Sequence, residues 1–363
     1  MTLNKIAQLN IRRKDDHLRF ALEQYDASVV DSSPFEDIRF IHHSFSQVNQ
    51  DKINLTTRWA NQTHKWPIYI NAMTGGSQLA YDYNLKLAKV AKATDLAIAT
   101  GSISSALSNL NVKDSFKIMR SINPDGFIMA NLGAHHSVDN AKRAVDLIQA
   151  NALQIHLNLP QEVVMPEGDR DFSMWLTHIE EMVNQLDVPV IVKEVGFGMS
   201  KETIQTLINL GVTTIDISGR GGTNFINIEN NRRSNNDLSQ LSLWGQTTPE
   251  SLIEAYPYTN QCNILASGGI RHSLDMVKAF ALGAKSAGIA GAVLSHLDEF
   301  DVEKTIEWIL SLQNSLEKLA LMLNCQQFED FKHTDLIIIN QLKEWAEIRQ
   351  FDYHKLAHRS TLK

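Results

Sequence analysis

Cysteine is nearly absent. The 363-residue chain holds two, Cys262 and Cys325. One pair in a chain of this length spells neither a disulfide framework nor a cysteine metal motif, and it fits a reducing cytoplasm. Basic blocks are missing too: 34 Lys and Arg stand against 41 Asp and Glu, a net charge of −7, which speaks against nucleic acid as a partner. No apolar run is long enough to span a bilayer and the N-terminus does not read as a signal peptide, so a cytoplasmic protein without a membrane partner is expected. No GxGxxG follows the first apolar run, where Asn71-Ala-Met-Thr-Gly-Gly76 stands instead. That absence argues against an open, doubly wound dinucleotide-binding sheet.

What is present is enough hydrophobic residue, 43%, for one large core with decoration. Short apolar runs recur at Pro67–Ala72, Leu96–Thr100, Gly126–Ala130, Leu153–Leu157, Pro189–Val192, Thr214–Ile217, Asn263–Ala266 and Ser286–Ala290. Their spacing is mostly about 25 to 35 residues, the size of one βα unit. Amphipathic segments lie between them, among them Tyr83–Thr94, Val138–Asn151, Lys201–Leu210 and Ser273–Leu282. Strands alternating with helices imply a parallel sheet, and eight such units imply an α/β fold of the closed (β/α)8 TIM-barrel type. The expected organisation is a single domain: an N-terminal extension over 1–66 anchored by Phe20, Phe40 and Trp59, a barrel over 67–300, and a C-terminal helical tail over 301–363 carrying Trp308 and Trp345. The long, Asn-rich connection 219–250 after the sixth strand falls over the C-terminal face, where barrel enzymes place their active sites. It reads as a lid, with an oligomer contact or a tolerated insertion as alternatives.

Chemistry gathers at the strand ends. In Gln154-Ile-His-Leu-Asn-Leu-Pro-Gln-Glu162 the apolar residues alternate with His156 and Asn158, the period of a strand, and Gln161 and Glu162 follow where Pro160 stops the ladder. An imidazole, amides and a carboxylate at one strand end form a substrate or metal site unless they are merely a polar loop. Glycines mark a second site. Ala266-Ser-Gly-Gly-Ile-Arg271 and Ile289-Ala-Gly-Ala292 follow the seventh and eighth strands, the place where this fold cradles phosphate on backbone N–H groups and a helix N-terminus. Met73, Thr74, Gly75, Ser102 and Asn131 end strands one to three, offering small polar or backbone groups to a flavin ring. Lys193 ends strand five, where burial needs negative charge, supplied by a reduced flavin or by Glu194 or Asp216. Ser218 and Thr223 complete the phosphate and ribityl side.

Taken together, Arg13-Lys-Asp-Asp-His17, Asn71-Ala-Met-Thr-Gly-Gly76, Gly101-Ser102, Ala130-Asn-Leu-Gly133, the 154–162 segment, Val192-Lys-Glu-Val-Gly-Phe-Gly198, Asp216-Ile-Ser-Gly-Arg-Gly-Gly-Thr223 and Ala266-Ser-Gly-Gly-Ile-Arg271 make the chain resemble the type 2, flavin-dependent isopentenyl-diphosphate isomerases over nearly its whole length. The resemblance implies FMN, Mg2+ and a reductant such as NADPH, interconversion of isopentenyl and dimethylallyl diphosphate, and a homo-oligomer, usually a tetramer or octamer. It assigns FMN contacts to Met73, Thr74, Gly75, Ser102, Asn131, Lys193, Ser218, Thr223, Gly268, Gly269, Ile270, Ala290 and Gly291. Arg13 and Lys14 would hold the diphosphate, Gln161 would lie beside the isoprenoid and Glu162 on Mg2+. One departure stands out: the family often has an arginine where this chain has Ser104.

Shifting a double bond adds a proton at one carbon and removes one from another, passing close to a tertiary carbocation, which calls for a strong nearby acid and little water. Reduced FMN is expected as the main acid–base agent with no net redox change, Gln161 positioning a proton and His156 and Asn158 supporting it. The competing enzyme reading is an FMN-dependent 2-hydroxy-acid oxidase or dehydrogenase. That chemistry resembles an arrangement with His-Gly-Gly-Arg after strand six, whereas Arg220-Gly-Gly-Thr223 stands here, without the base or the carboxylate clamp. A non-enzymatic flavin- or phosphate-binding module would leave the 154–162 cluster without a task. His42–His43 and His135–His136 are read as structural, since neighbours in a strand point to opposite faces.

Overall fold

The structure, a computed structural model, describes residues 14–25, 33–233 and 237–360. Eight parallel strands close a barrel: β1 Ile68–Ile70, β2 Ala97–Ala99, β3 Ile128–Gly133, β4 Ala152–Leu157, β5 Val190–Glu194, β6 Thr214–Asp216, β7 Asn263–Ser267 and β8 Ala284–Ile289. Each pairs with its sequence neighbour, and β8 returns to β1 through Ala287, Gly288 and Ile289 against Ile68, Tyr69 and Ile70. All eight apolar runs became barrel strands. They do so because each is bounded by turn residues and followed by a helix whose apolar stripe packs back on the barrel. Helices begin where a side chain caps them: Ser77 before Gln78–Thr94, Ser137 before Val138–Ile148, Ser200 before Lys201–Asn209, and Thr247 in a capping box before Thr248–Ala255.

The N-terminal extension stoppers the barrel. A hairpin of Thr57–Trp59 and Gln62–His64 turns through Ala60 and Asn61, both at positive φ, the geometry of a tight two-residue turn. It pushes Trp59, fully buried, into the barrel end among Tyr69, Ala97, Ala99, Met129, Ala152, Ile191 and Leu265. The alanines leave the room that the indole fills. His64 stacks on Trp59 at 3.9 Å, and burial lowers its imidazole to about 4.

The tail, expected to be helical, also contains a strand. Leu336–Ile338 pairs antiparallel with Ile38–Phe40, so tail and extension share a small sheet. After it, the helix Asn340–Ile348 is fastened to the barrel wall. Trp345 Nε1 and the Arg349 guanidinium both donate to buried Glu254, and Arg349 also reaches Glu202. The connection 219–250 is partly helical, over Phe225–Asn231, and that helix changes the account of the site. Cys262 and Cys325 are buried, free thiols, and burial pushes both up to about 12. Among the described residues, no helix is long and apolar enough to cross a membrane.

Candidate active site

Two clefts open side by side at the C-terminal ends of the strands and share Ala72, Met73, Lys193, Val195 and Phe225. The first is walled by backbone. The loops after β6 and β7 pack so tightly that a Cβ on Gly268, at φ +94°, would lie 1.9 Å from the carbonyl oxygen of Gly219, and one on Gly269 would meet Gly221 at 2.8 Å. Only glycine satisfies both the left-handed backbone and that approach. Facing them, the helix Gly291–Glu299 starts at the end of β8, and its first N–H groups have no intrahelical acceptor. Glycine loops converging on a helix N-terminus suit an anion. Of the residues expected here, Met73, Lys193, Ser218, Thr223, Gly268, Gly269, Ile270, Ala290 and Gly291 line this cleft. Thr74 and Gly75 line neither cleft. The Thr74 hydroxyl turns away and donates to Asn84 Oδ1, and Gly75 lies against the Phe116 ring.

The second cleft is built of side chains. Ser102, Asn131, His156, Asn158, Gln161 and Glu162 line it, with Lys14 and His17 from the helix over 14–25. Arg13 lies outside the described residues. Pro160 does more than end the strand: it stands in the first turn of a short helix, Leu159–Val164, which carries Gln161 and Glu162 inward. Glu162 is buried and satisfied, Oε1 by Asn158 Nδ2 at 2.8 Å and Oε2 by the Asp169 amide at 2.9 Å, while the Asn158 Oδ1 is buried without a partner. Among the described residues no three or more His, Cys, Asp and Glu groups converge as a metal cluster. A Mg2+ ion needs no such cluster, since it keeps its waters and takes one or two carboxylates plus substrate phosphate. Glu162, with Glu167 and Asp169 on the rim, offers that donor set.

Glu229, unnoticed in the sequence, centres the contacts that the 219–250 connection makes with this cleft. Wholly buried on Phe225–Asn231, it accepts from His17 Nε2 at 2.8 Å, Gln161 Nε2 at 2.9 Å and the Arg232 guanidinium. Burial pushes its carboxyl up, but His17, Gln161 and Arg232 outweigh that and hold it at about 2. One carboxylate thus ties the N-terminal helix, the 154–162 segment and the 219–250 connection together, making the connection a cover for this cleft. No local signal marked it: it is one acid in an Asn-rich run.

Lys193 is buried between the clefts and donates to the Glu194 carbonyl at 2.6 Å. Burial lowers its ammonium against the opposing charges of Asp216 and Glu194. Glu194 accepts the amides of Val195, Gly196 and Phe197 at 2.6–2.8 Å. His135 and His136 do not sit in a strand as assumed but in the turn after β3, with rings 4.2 Å apart. His136 is lowered to about 4 by burial and by His135 and His178. His43 pairs with Asp335 at 3.0 Å, a tether for the tail.

A flavin-type (β/α)8 barrel is the class this fold and its paired clefts define. The model of the FMN-dependent dehydrogenase family matches residues 111–337. Among solved structures, flavocytochrome b2 with sulfite bound aligns at a TM-score of 0.63 and 17% identity, covering 82% of this chain and 75% of that one. A mandelate oxidase variant with a monooxide FMN adduct aligns at 0.61 and 15%, covering 89% and 92%. These likenesses establish the fold. Sequence relatives are nearer. The isopentenyl-diphosphate delta-isomerase of Staphylococcus haemolyticus is 46% identical over 344 residues, 95% of this chain and 98% of the relative. Those of Staphylococcus saprophyticus and Staphylococcus aureus are 46% and 43% identical over 341 and 344 residues, with 94% and 95% of this chain and 97% and 98% of the relatives covered. The chain belongs to the isopentenyl-diphosphate delta-isomerase family.

Proposed function

We propose that the chain interconverts isopentenyl and dimethylallyl diphosphate, with FMN in the glycine-walled cleft and substrate in the neighbouring one. The observation that carries the reading is the join between them. Met73 and Lys193 line both clefts, so a flavin anchored by its phosphate arm in the glycine loops would present its ring beside the cavity where Gln161 and Glu162 lie buried. Reduced FMN supplies an electron-rich ring that can hold and release a proton without net redox change. Ser218, Thr223, Gly268, Gly269, Ile270, Ala290 and Gly291 would hold its phosphate arm, with Met73, Ser102, Asn131 and Lys193 around the ring. Lys14, with Arg13, would take the diphosphate, and Glu162 would share Mg2+ with it, neutralising charge that burial makes costly. Gln161, oriented by Glu229, would present its amide to the alkene. His17 and Phe225 cover the cleft and exclude water, which a developing tertiary cation requires. NADPH is proposed as reductant.

The 2-hydroxy-acid reading shares the barrel but not the side chains. After β6 the wall of the first cleft is Gly221, Gly222 and Thr223, with no imidazole to take a proton. The test is an anaerobic conversion assay with FMN, Mg2+ and isopentenyl diphosphate, with and without NADPH or dithionite. Dimethylallyl diphosphate formed only with reduced flavin is expected. Brisk turnover with oxidised FMN would sink the non-redox role, and no product despite bound, reduced FMN would sink the substrate.

A further inference from the structure

Along the floor of both clefts runs a file of polar side chains whose order the proposed reaction leaves unexplained. It starts at Asp216, the last residue of β6 and wholly buried. Its carboxylate accepts from Tyr69 Oη at 2.6 Å, Asn71 Nδ2 at 2.9 Å, Ser267 Oγ at 2.7 Å and the Ser218 amide at 3.2 Å. Beyond Asn71, which follows β1, the file continues to Gln154 on β4, Asn131 on β3 and His156 on β4. Gln154 Nε2 donates to Asn71 Oδ1 at 3.2 Å, and Asn131 Nδ2 donates to Gln154 Oε1 at 2.9 Å. Asn131 Oδ1 then meets His156 Nδ1 at 2.8 Å.

The direction of this file is dictated from one end. Asn71 is pinned on both sides: its NH2 faces the Asp216 carboxylate and the Ser267 hydroxyl, and its oxygen accepts the Ala72 amide, a group that can only donate, at 2.8 Å. The same oxygen takes the Gln154 NH2, and Gln154 must in turn offer its own oxygen to Asn131. Reversing any one amide sets NH2 against NH2 or oxygen against oxygen, a cost of about 1–3 kcal/mol per unsatisfied buried group. The last oxygen, Asn131 Oδ1, requires a proton on His156 Nδ1.

We infer that Asp216 and the Ala72 amide together orient Asn71, and that this orientation is passed through Gln154 and Asn131 to hold His156 as the neutral Nδ1–H tautomer, leaving Nε2 a hydrogen-bond acceptor in the substrate cleft. Burial, with Lys14, His135, Lys193 and His136 nearby, keeps the imidazole well below its ordinary range and so uncharged. The consequence is chemical. Phosphate oxygens need donors, so a lone pair at Nε2 gives His156 no part in gripping diphosphate. It accepts instead from a donor on the ligand, the metal-bound water or a neighbouring amide. The inference rests on the isomerase reading only for what fills that cleft; the tautomer itself does not depend on it.

The tautomer is measured directly by two-bond 1H–15N correlation spectra of the 15N-histidine-labelled, full-length protein, with His156 assigned by its loss in His156→Gln. Wild type should show the Nδ1–H pattern at neutral pH. Gln154→Met cuts the file while leaving Asp216 beside Lys193 and should mix or invert the tautomers; Asp216→Asn leaves the Ala72 amide to hold Asn71 and should shift the pattern less. In assays of the reduced holoenzyme Gln154→Met should lower kcat roughly tenfold with little change in KM. An Nε2–H pattern in wild type, or unchanged Nδ1–H in folded Gln154→Met, would overturn the inference. Wild type inactive toward isopentenyl diphosphate yet showing Nδ1–H would instead count against the substrate reading alone.

Discussion

The two clefts are built from opposite materials. The one after β6, β7 and β8 is walled by glycine backbone, held open by loops that touch each other. The one after β3 and β4 is walled by side chains whose orientation depends on partners elsewhere in the chain: Gln161 on Glu229, 68 residues on, and Asn131 on Gln154, 23 residues on. A backbone site tolerates almost no added atom but needs few long-range partners. A side-chain site tolerates changes of shape yet loses its orientation when one remote acceptor is lost. On the proposed function the same line would divide the tasks, the glycine wall holding the flavin and the side chains holding proton positions.

The largest effect should come from adding one carbon to the backbone site. Gly268→Ala places a Cβ 1.9 Å from the Gly219 carbonyl oxygen and forces a residue with a side chain to φ +94°. A cost of about 3 kcal/mol or more is expected. Flavin absorbance of the purified protein should be lost, together with several degrees of Tm. A variant that retains FMN at wild-type stoichiometry would remove the case for a backbone-built cradle.

On the side-chain wall the losses should be of turnover, with flavin kept. Glu162→Gln should lower kcat about a hundredfold and shift the Mg2+ requirement upward while the flavin spectrum is unchanged; loss of FMN in this variant would merge the two clefts into one. Glu229→Gln should cost about tenfold in kcat, because one oxygen must now serve His17, Gln161 and Arg232 while an NH2 faces one of them. Its pH dependence has a defined sign. The folded carboxyl sits at about 2 against an ordinary 4.5, so the unfolded chain protonates first. The stabilisation, on the order of 3 kcal/mol, is complete above pH 4.5 and is lost as pH falls toward 2. Chemical denaturation of wild type and variant across that window should converge as the pH drops; a constant gap would deny Glu229 its charge.

The same contrast explains what could be read in advance. Strand runs, helix stripes and glycine pairs are local signals, so the eight barrel strands were legible to within a few residues, as were Gly268, Gly269 and Gly291 as cleft wall. The 154–162 segment was legible as a cluster because its members are neighbours in sequence. Glu229 was not, since an isolated acid among asparagines acquires meaning only when Phe225–Asn231 folds down on Gln161. The file from Asp216 to His156 crosses the barrel between strands whose sequence order says nothing about which amide faces which. The tail strand Leu336–Ile338 was hidden for the same reason: its partner, Ile38–Phe40, stands about 300 residues earlier. His135 and His136 misled because opposite faces are a property of strands, and they lie in a turn.

Thr74 offers the finest division between the two kinds of wall. Its position after β1 and its small hydroxyl suggested a contact to FMN, but the hydroxyl points to Asn84 Oδ1, and Asn84 Nδ2 continues to the Ser115 carbonyl at 2.6 Å. All three residues are buried. The Thr74 carbonyl is also spent, accepting the Gly101 amide at 2.7 Å. Thr74→Val keeps the shape and removes the donor, so Asn84 Oδ1 loses a partner in a dry site, at a cost of about 1 kcal/mol of stability. Flavin affinity should move less than about twofold, since the side chain lines neither cleft. Fluorescence titration of the apoprotein with FMN, beside a denaturant melt, separates the two quantities. A tenfold loss of affinity at unchanged stability would return Thr74 to the flavin wall, and the hydroxyl would then have to turn from Asn84 when the ring binds.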